Sequence, residues 1–362
     1  MRYLIRPARE EDNAGILALI AATPQPGRVL LNFERQPAFV YGSQVNGETP
    51  DNWVVESAEE PGRIIGIFAV GRRRLFINGR VTTIRYANDL RVAPEYRGSR
   101  LLLNMARKLG ELMQQGEWMQ TVVLTDNNAS MQTVASGRAG LPTYHPCGDI
   151  QTSMLFSAPM RRHQGLRISQ ATENELPLMQ QWIDENAPRR QFFPCYRLDG
   201  LRTGDPFYRG LRIDDYWLAW RGSELVGMAG AWNQKSFKQT RVLAYPRGLG
   251  WLRHLYNLYV ALRGGIRLPP PGGALNYLTL HSMLVEDDRP DILDALLNTM
   301  SRAYLRRFGT LVAGFFDSDP LIETMQGYRR QVLHSRQFLV SYDDNPCASL
   351  DGRLPYVEVA RL

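Results

Sequence analysis

Apolar and polar positions along the chain fall into two series that rhyme. Near the start, Ile5-Arg6-Pro7-Ala8-Arg9-Glu10-Glu11-Asp12 runs into apolar positions at helical spacing, Ile16, Leu17, Leu19 and Ile20. Near the middle, Ile168-Ser169-Gln170-Ala171-Thr172-Glu173-Asn174-Glu175 runs into Leu176, Met179 and Ile183. Each predicts a short strand, a polar turn with acidic first-turn residues, and an amphipathic helix. The strand run Arg63-Ile64-Ile65-Gly66-Ile67-Phe68-Ala69-Val70 is echoed by Glu224-Leu225-Val226-Gly227-Met228-Ala229-Gly230. Leu90-Arg91-Val92 and Met283-Leu284-Val285 are each followed by a turn and a helix. Strands alternating with helices predict an α/β layered fold. The chain has 362 residues, and one hydrophobic core stops growing near roughly 250–300, so two domains are expected. The boundaries fall at 1–157 and 166–362, with 158–165 as linker; one large α/β domain with coincidental self-similarity stays open as the alternative.

The most informative stretch runs from Tyr86 through Asn88, Asp89, Leu90, Arg91 and Val92 to Pro94, Arg97, Gly98, Ser99, Arg100 and Leu102. It opens as a strand, which Pro94 ends because it has no N–H to donate. Gly98 permits a tight turn and Ser99 is a candidate helix N-cap. A helix follows, with Leu101, Leu102, Met105, Leu109, Leu112 and Met113 on one face and Gly116 as its stop. A strand feeding a glycine turn into a helix N-terminus suits an anion, since the first N–H groups have no intrahelical partner. Arg97 and Arg100 add full charges.

Composition narrows the classes. Hydrophobic residues make up 44% and charged residues 22%, an ordinary globular mixture. Three cysteines are too few and scattered for a disulfide framework or zinc ribbon, and are expected as free thiols. The opening residues lack the apolar core of a signal peptide, and no window approaches the ~18 apolar residues of a membrane span, so the cytoplasm is the expected location. Net charge is +7, which favours anionic partners without choosing among them. Clusters at Arg72-Arg73-Arg74, Arg161-Arg162 and Arg329-Arg330 are short, and the arginines are expected on a solvated surface, with no nucleic-acid arm.

Val92-Ala93-Pro94-Glu95-Tyr96-Arg97-Gly98 resembles the signature of the GNAT superfamily, the acetyl-CoA-dependent N-acetyltransferases. Other segments fall in order: Ile5-Arg6-Pro7-Ala8 with Glu10-Glu11-Asp12 resembles the first strand and helix, and Gln120-Thr121-Val122-Val123-Leu124 a later core strand. Asn128-Ala129-Ser130 with Gly140-Leu141-Pro142 resembles the family's asparagine-to-glycine helix segment. The resemblance covers about 1–156, and more weakly about 166–342. It implies two tandem domains, each a mixed, mostly antiparallel sheet flanked by helices. It further implies acetyl-CoA or another acyl-CoA as co-substrate, with no metal. Leu90, Arg91 and Val92 then pair with the pantetheine arm; Arg97, Gly98, Ser99, Arg100 and Leu101 hold the pyrophosphate, and Asn128 belongs to the cofactor site. The family's frequent carboxylate base nominates Asp89, with Asn88 as its orienting neighbour. This chain departs from the pattern at Arg100 and Leu102, where glycines are usual, and at Ser136, where a general-acid tyrosine is usual. Tyr144 is a candidate replacement, or else a turn residue with a buried ring. In the second half Glu286-Asp287-Asp288-Arg289-Pro290-Asp291 puts carboxylates where a pyrophosphate would sit, marking a degenerate copy without CoA.

Other features carry less. The five histidines show no metal-ligand spacing, and His281 on an apolar strand reads as a hydrogen-bonded core residue. Cys147 has no basic partner in sequence to make it a nucleophile. An aromatic, basic insertion near 236–275 contains Trp251, Leu252, Arg253, His254, Leu255, Tyr256, Leu258 and Tyr259 and ends in Pro269-Pro270-Pro271. Such a stripe is ordinarily core; the alternatives are a cleft cap, a membrane surface or a partner site. The leading function is N-acyl transfer from acyl-CoA to a primary amine of a small molecule or protein. The others are a GNAT-fold binding or scaffold protein without turnover, and an aminoacyl-tRNA-dependent transferase, for which nucleic acid would be the partner.

Overall fold

A computed structural model describes residues 3–25, 29–127, 131, 140–157, 159, 161, 163–246, 248–263, 265 and 267–362. In the first half the order is β1 (Tyr3–Pro7), α1 (Asn13–Ala22), β2 (Leu30–Glu34), α2 (Phe39–Asn46), β3 (Asn52–Ser57), β4 (Ile64–Ala69), β5 (Arg72–Ile77), β6 (Arg80–Tyr86), β7 (Asn88–Val92), α3 (Leu101–Leu112), β8 (Trp118–Leu124) and β9 (Thr143–Leu155). The second half repeats the theme: β10 (Arg167–Gln170), α4 (Leu176–Asn186), β11 (Tyr216–Arg221), β12 (Glu224–Trp232), β13 (Gln239–Ala244), α5 (Leu249–Arg263), β14 (Leu278–Val285), α6 (Pro290–Phe308), β15 (Leu311–Phe316) and β16 (Arg330–Ser341). The two opening motifs, the corresponding strands β4 and β12, and the strand–turn–helix corners at β7 and β14 all fall where the periodicity places them.

Among the described residues four strands form one sheet in the order β1-β3-β4-β7, and ten form another in the order β10-β11-β12-β14-β15-β9-β16-β8-β6-β5. Pairing is antiparallel except at β14–β15 and β6–β8. The larger sheet runs through both halves because two strands trade places: β9 lies between β15 and β16, and β16 lies between β9 and β8. A third link is the ribbon of β2 with β13, clamped by Arg241 Nε donating to both oxygens of Glu34 at 2.8 Å.

Burial follows the pattern. Ile16, Leu19 and Ile20 of α1, all of β4, and Leu101 and Met105 of α3 make the first core. α6 lays Ile292, Leu293, Leu296, Leu297 and Met300 on the second. α3 ends at Leu112, so Met113 and Gly116 lie beyond it, with Gly116 (φ 75°) in the turn before β8 rather than at a helix cap. The arginines are not all on a solvated surface: Arg35, Arg73, Arg85, Arg91, Arg190 and Arg361 are buried. Each has at least one hydrogen-bond partner, as when Arg85 donates to Asp51 at 2.9 Å, Glu117 at 3.1 Å and the Leu112 carbonyl at 3.0 Å, while Arg35 Nε, Arg73 Nε, Arg91 Nε and Arg361 Nη2 have none among the described residues. Arg73 bonds Gln120 and lies over the Tyr86 ring, and its burial lowers its pKa to about 10. His281 is fully buried against Tyr216 and Ser282, as its strand position suggests. The three cysteines are free, and burial pushes the Cys147 thiol up to about 12. Among the described residues no helix is long and apolar enough to cross a membrane.

Candidate active site

The site arises where β7 parts from β8. β6 pairs β8 in parallel only at Arg85–Met119 and Tyr86–Gln120, and the last tie is Ala87, whose amide donates to the Gln120 carbonyl at 2.9 Å. Beyond it β7 turns away to join β4, with a register shift between Ile67 and Ala69 and Asp89 at φ 51°. β7 is left as a sheet edge. The cleft between the two strands has a volume of about 820 Å³. One wall is Asn88, Asp89, Leu90, Arg91 and Val92; the other is Met119 and Thr121 to Leu124.

At one end stands the turn into α3. Gly98 has φ 77° and open space where a side chain would project. Ser99 is not the N-cap; Arg100 is, while the Ser99 hydroxyl accepts from the Leu101 amide at 3.2 Å. The amides of Gly98, Arg100, Leu102 and Leu103 have no hydrogen-bond partner among the described residues. Such unpaired N–H groups at a helix start, with Arg97 on the cleft, suit a phosphate. Arg100 is exposed and Leu101 fully buried, so Leu101 anchors the helix rather than offering a side chain to a ligand. Leu102 faces the cleft as an apolar wall with Met105, Ala106 and Leu109. Arg91 is tied to the Thr23 carbonyl at 3.2 Å, and desolvation lowers its pKa. Asn128 and Ser136 lie outside the described residues.

The candidate chemical groups come together unevenly. Asp89 is buried with its oxygens 3.2 and 3.3 Å from Arg35 Nη2, and Asn88 Nδ2 donates to it at 3.0 Å. Tyr144 lies on β9, not in a turn, and lines the cleft beside Leu141 and Pro142. Burial raises its pKa, its ring meets Phe338 edge-on at 5.9 Å, and its hydroxyl has no hydrogen-bond partner among the described residues.

The far end of the cleft is built by the second half: Gln234, Lys238, Thr240, Leu275, Tyr277 and Val312 line it, as do Val359 and Leu362. Sequence reasoning did not single out these residues. Lys238 is half-buried and donates to Leu362 O at 2.7 Å, Ala360 O at 3.3 Å and Asn46 Oδ1 at 3.4 Å. Desolvation pushes its ammonium well below the usual lysine range. A lone lysine in Trp232-Asn233-Gln234-Lys235-Ser236-Phe237-Lys238 carries no local signal of this burial, which comes from segments far apart in sequence.

The second half has the same corner with a different filling. β14 has its own register shift, between Met228 and Gly230, and Ser282 at φ 51°. The segment after β16 fills the space beside it. Glu358 accepts from the Ser282 amide at 2.8 Å, and the Tyr356 hydroxyl takes the Met283 amide at 3.2 Å. Arg361 locks this segment, its guanidinium 3.5 Å from the Phe207 ring centre and donating to the Val45 and Phe207 carbonyls at 2.6 and 2.8 Å. The carboxylates before α6 and in its first turn are matched by arginines: Glu286 with Arg221, Asp287 with Arg189, Asp288 with Arg190 and Asp291 with Arg289. The anion place of this half is thus already taken.

A splayed strand pair at a strand–turn–helix corner, present twice and with the glycine only in the first, decides the architecture. The chain has the fold of the GCN5-related N-acetyltransferases. A structure of such an enzyme from Sphaerobacter thermophilus superposes with a TM-score of 0.57 at 12% identity, over 95% of this chain and 97% of that one. One from Anabaena variabilis gives 0.53 at 12%, over 94% and 73%. A tandem GNAT protein from the clavulanic acid biosynthesis pathway gives 0.55 at 12%, over 95% and 100%. No protein-family model and no curated protein matches the sequence. In GNAT terms the fold is a two-domain α/β one, with an open first corner and a filled second.

Proposed function

We propose that the protein is an acyl-CoA-dependent N-acyltransferase, moving an acyl group, acetyl first among them, from CoA to a primary amine by direct attack on the thioester. The observation that carries this reading is the cleft lined at one end by Arg97 and Leu102, beside the unpaired amides of the Gly98 turn, and elsewhere by Lys238 and Tyr277. CoA supplies the activated thioester. Gly98, Arg97 and the α3 amides hold the pyrophosphate, and the free edge of β7 aligns the pantetheine arm. Amine attack needs positioning, a donor for the developing oxyanion and a route for the amine proton. The β7 edge offers the donor. Asp89 takes the proton only as one of its bonds to Arg35 or Asn88 yields, and Tyr144, kept protonated by burial, returns one to the thiolate.

The test is the thermal midpoint with and without acetyl-CoA. A ligand at ~100 times its dissociation constant adds about 2.7 kcal/mol to the domain that binds it, a rise of roughly 5–10 °C. Gly98→Asp, which puts a carboxylate among the amides, abolishes the rise. No rise in the wild type at saturating ligand overturns the proposal.

A further inference from the structure

α5 is built inside out. At about 100° per residue, Leu258, Leu262, Leu255, Tyr259, Leu252 and Tyr256 share one arc of roughly 160°. All six are exposed, Leu255 by 61%, Leu258 by 62% and Leu262 by 79%. The opposite side holds the helix to the body. Val260 is buried, and Asn257 exchanges hydrogen bonds of 2.9 and 2.8 Å with Leu268 O and N. Tyr259 touches the body through Arg329, at 3.5 Å. The stripe that ordinarily packs into a core here faces water, and a contiguous apolar face of this size marks an interaction surface.

Charge selects the occupant. From Leu225 through Val285 the chain has no Asp or Glu, while Lys235, Arg247, Arg253, Arg263 and Arg267 lie within that span beside the cleft's Lys238 and the Glu34-bound Arg241. Arg267 is exposed, and so are Arg306 and Arg307 at the end of α6, where the Arg307 carbonyl accepts from Asn276 at 3.0 Å. A second copy laid face to face would set arginines against arginines with no carboxylate from this segment between them. An anionic surface with an apolar interior satisfies both features. Leucines enter the acyl boundary, tyrosines sit at headgroup depth and arginines meet lipid phosphates.

We infer that α5 docks the protein peripherally on an anionic bilayer, with the Leu252–Leu262 face in the interface plane. This is independent of the proposed transfer chemistry. The test is co-sedimentation of the full chain with vesicles of phosphatidylcholine alone and of an equal mixture of phosphatidylcholine and phosphatidylglycerol. The wild type pellets with the mixed vesicles and not with phosphatidylcholine, and salt weakens the binding. The double variant Leu255→Asp/Leu262→Asp lowers it by roughly tenfold or more. Both positions are exposed, and an unchanged far-UV spectrum and thermal midpoint show that the variant is folded. Wild type left in the supernatant with both vesicles overturns the inference. So does light scattering that shows a dimer which the same double variant dissociates, since the face is then an interface between copies.

Discussion

The backbone amide of Ser282 donates to Glu358 Oε2 at 2.8 Å, and Ser282 stands in β14 where Asp89 stands in β7. Both residues have φ 51° and follow the point at which their strand leaves its neighbour. In the first half this bulge opens a cleft; in the second the segment from Tyr356 to Arg361 closes it. Glu358 also accepts from Tyr196 at 2.8 Å and Tyr356 at 3.0 Å, and its burial raises its pKa. Replacing it by alanine strands three buried donors, at a cost of about 2–4 kcal/mol. Glu358→Gln keeps an acceptor oxygen and costs less. Urea unfolding of both variants checks the order, and an alanine variant as stable as wild type removes the role given to this carboxylate.

The filled corner also sets a stoichiometry. Glu286, Asp287, Asp288 and Asp291 hold the place of an anion, and like charges repel a pyrophosphate there. Titration calorimetry should find one acetyl-CoA per chain, in the wild type and equally in Glu358→Ala. Two sites in either protein would contradict the reading of the second half.

Much of this was legible because it is local. The repeat, the strand Leu90-Arg91-Val92, the glycine at position 98 and the carboxylates after Val285 are each written in a few adjacent residues. What was not legible depends on partners distant in sequence. Nothing in Thr143–Leu155 or Arg330–Ser341 announces that these strands exchange neighbours, and the turn reading of Tyr144 missed that it lies on one of them. Arg72-Arg73-Arg74 reads as a solvated cluster, yet strand alternation turns Arg73 inward onto Tyr86. The α5 leucines read as core because their spacing is right; the spacing does not tell which way the helix faces.

Asp89 and Arg35 form a buried pair, their side chains 8% and 7% exposed. Breaking such a pair from one side leaves an uncompensated charge and costs about 3–5 kcal/mol, more than replacing both members. Arg35→Met should therefore destabilise more than the double variant Arg35→Met/Asp89→Asn, with asparagine chosen because it tolerates positive φ. A coupling of at least about 1 kcal/mol in the unfolding cycle is expected. Strict additivity would show that the pair does not hold Asp89.

Asp215 gives a pH signature. Burial is the largest cause that raises its pKa to about 6 from 3.8, opposed by the Arg212 amide and reinforced by Asp214. A carboxyl with a raised folded-state pKa stabilises the fold fully below its unfolded value, and that contribution fades as pH rises through the folded one. Stability should thus gain about 1–3 kcal/mol from this group between pH ~7 and ~4. Asp215→Asn should remove that gain while keeping an acceptor for the Arg212 amide. Denaturant midpoints across the window check it, and identical pH profiles for the two proteins refute it.

The charge of the cleft constrains the acceptor. Asp89 has the one carboxylate side chain among the cleft's described lining residues, and its oxygens already face Arg35 and Asn88. The undescribed segments 26–28 and 132–139 contain no Asp or Glu either. Phe33, Leu275, Tyr277 and Val312 make the chamber apolar, with Lys238 and the Arg35–Asp89 pair as its polar groups. A polyamine or aminoglycoside would bring several ammonium groups into a site with no free carboxylate side chain among the described residues to meet them, a mismatch that selects against it. Monoamines on an aromatic or aliphatic body, with or without an anionic group, fit instead. Thiol release from acetyl-CoA across phenethylamine, an aromatic amino acid, spermidine and an aminoglycoside measures this. Specificity constants for the monoamines should exceed those for the polycations by roughly tenfold or more, about 1.4 kcal/mol of discrimination. A preference for spermidine or the aminoglycoside would mean that the acceptor does not enter by the chamber of Lys238 and Tyr277.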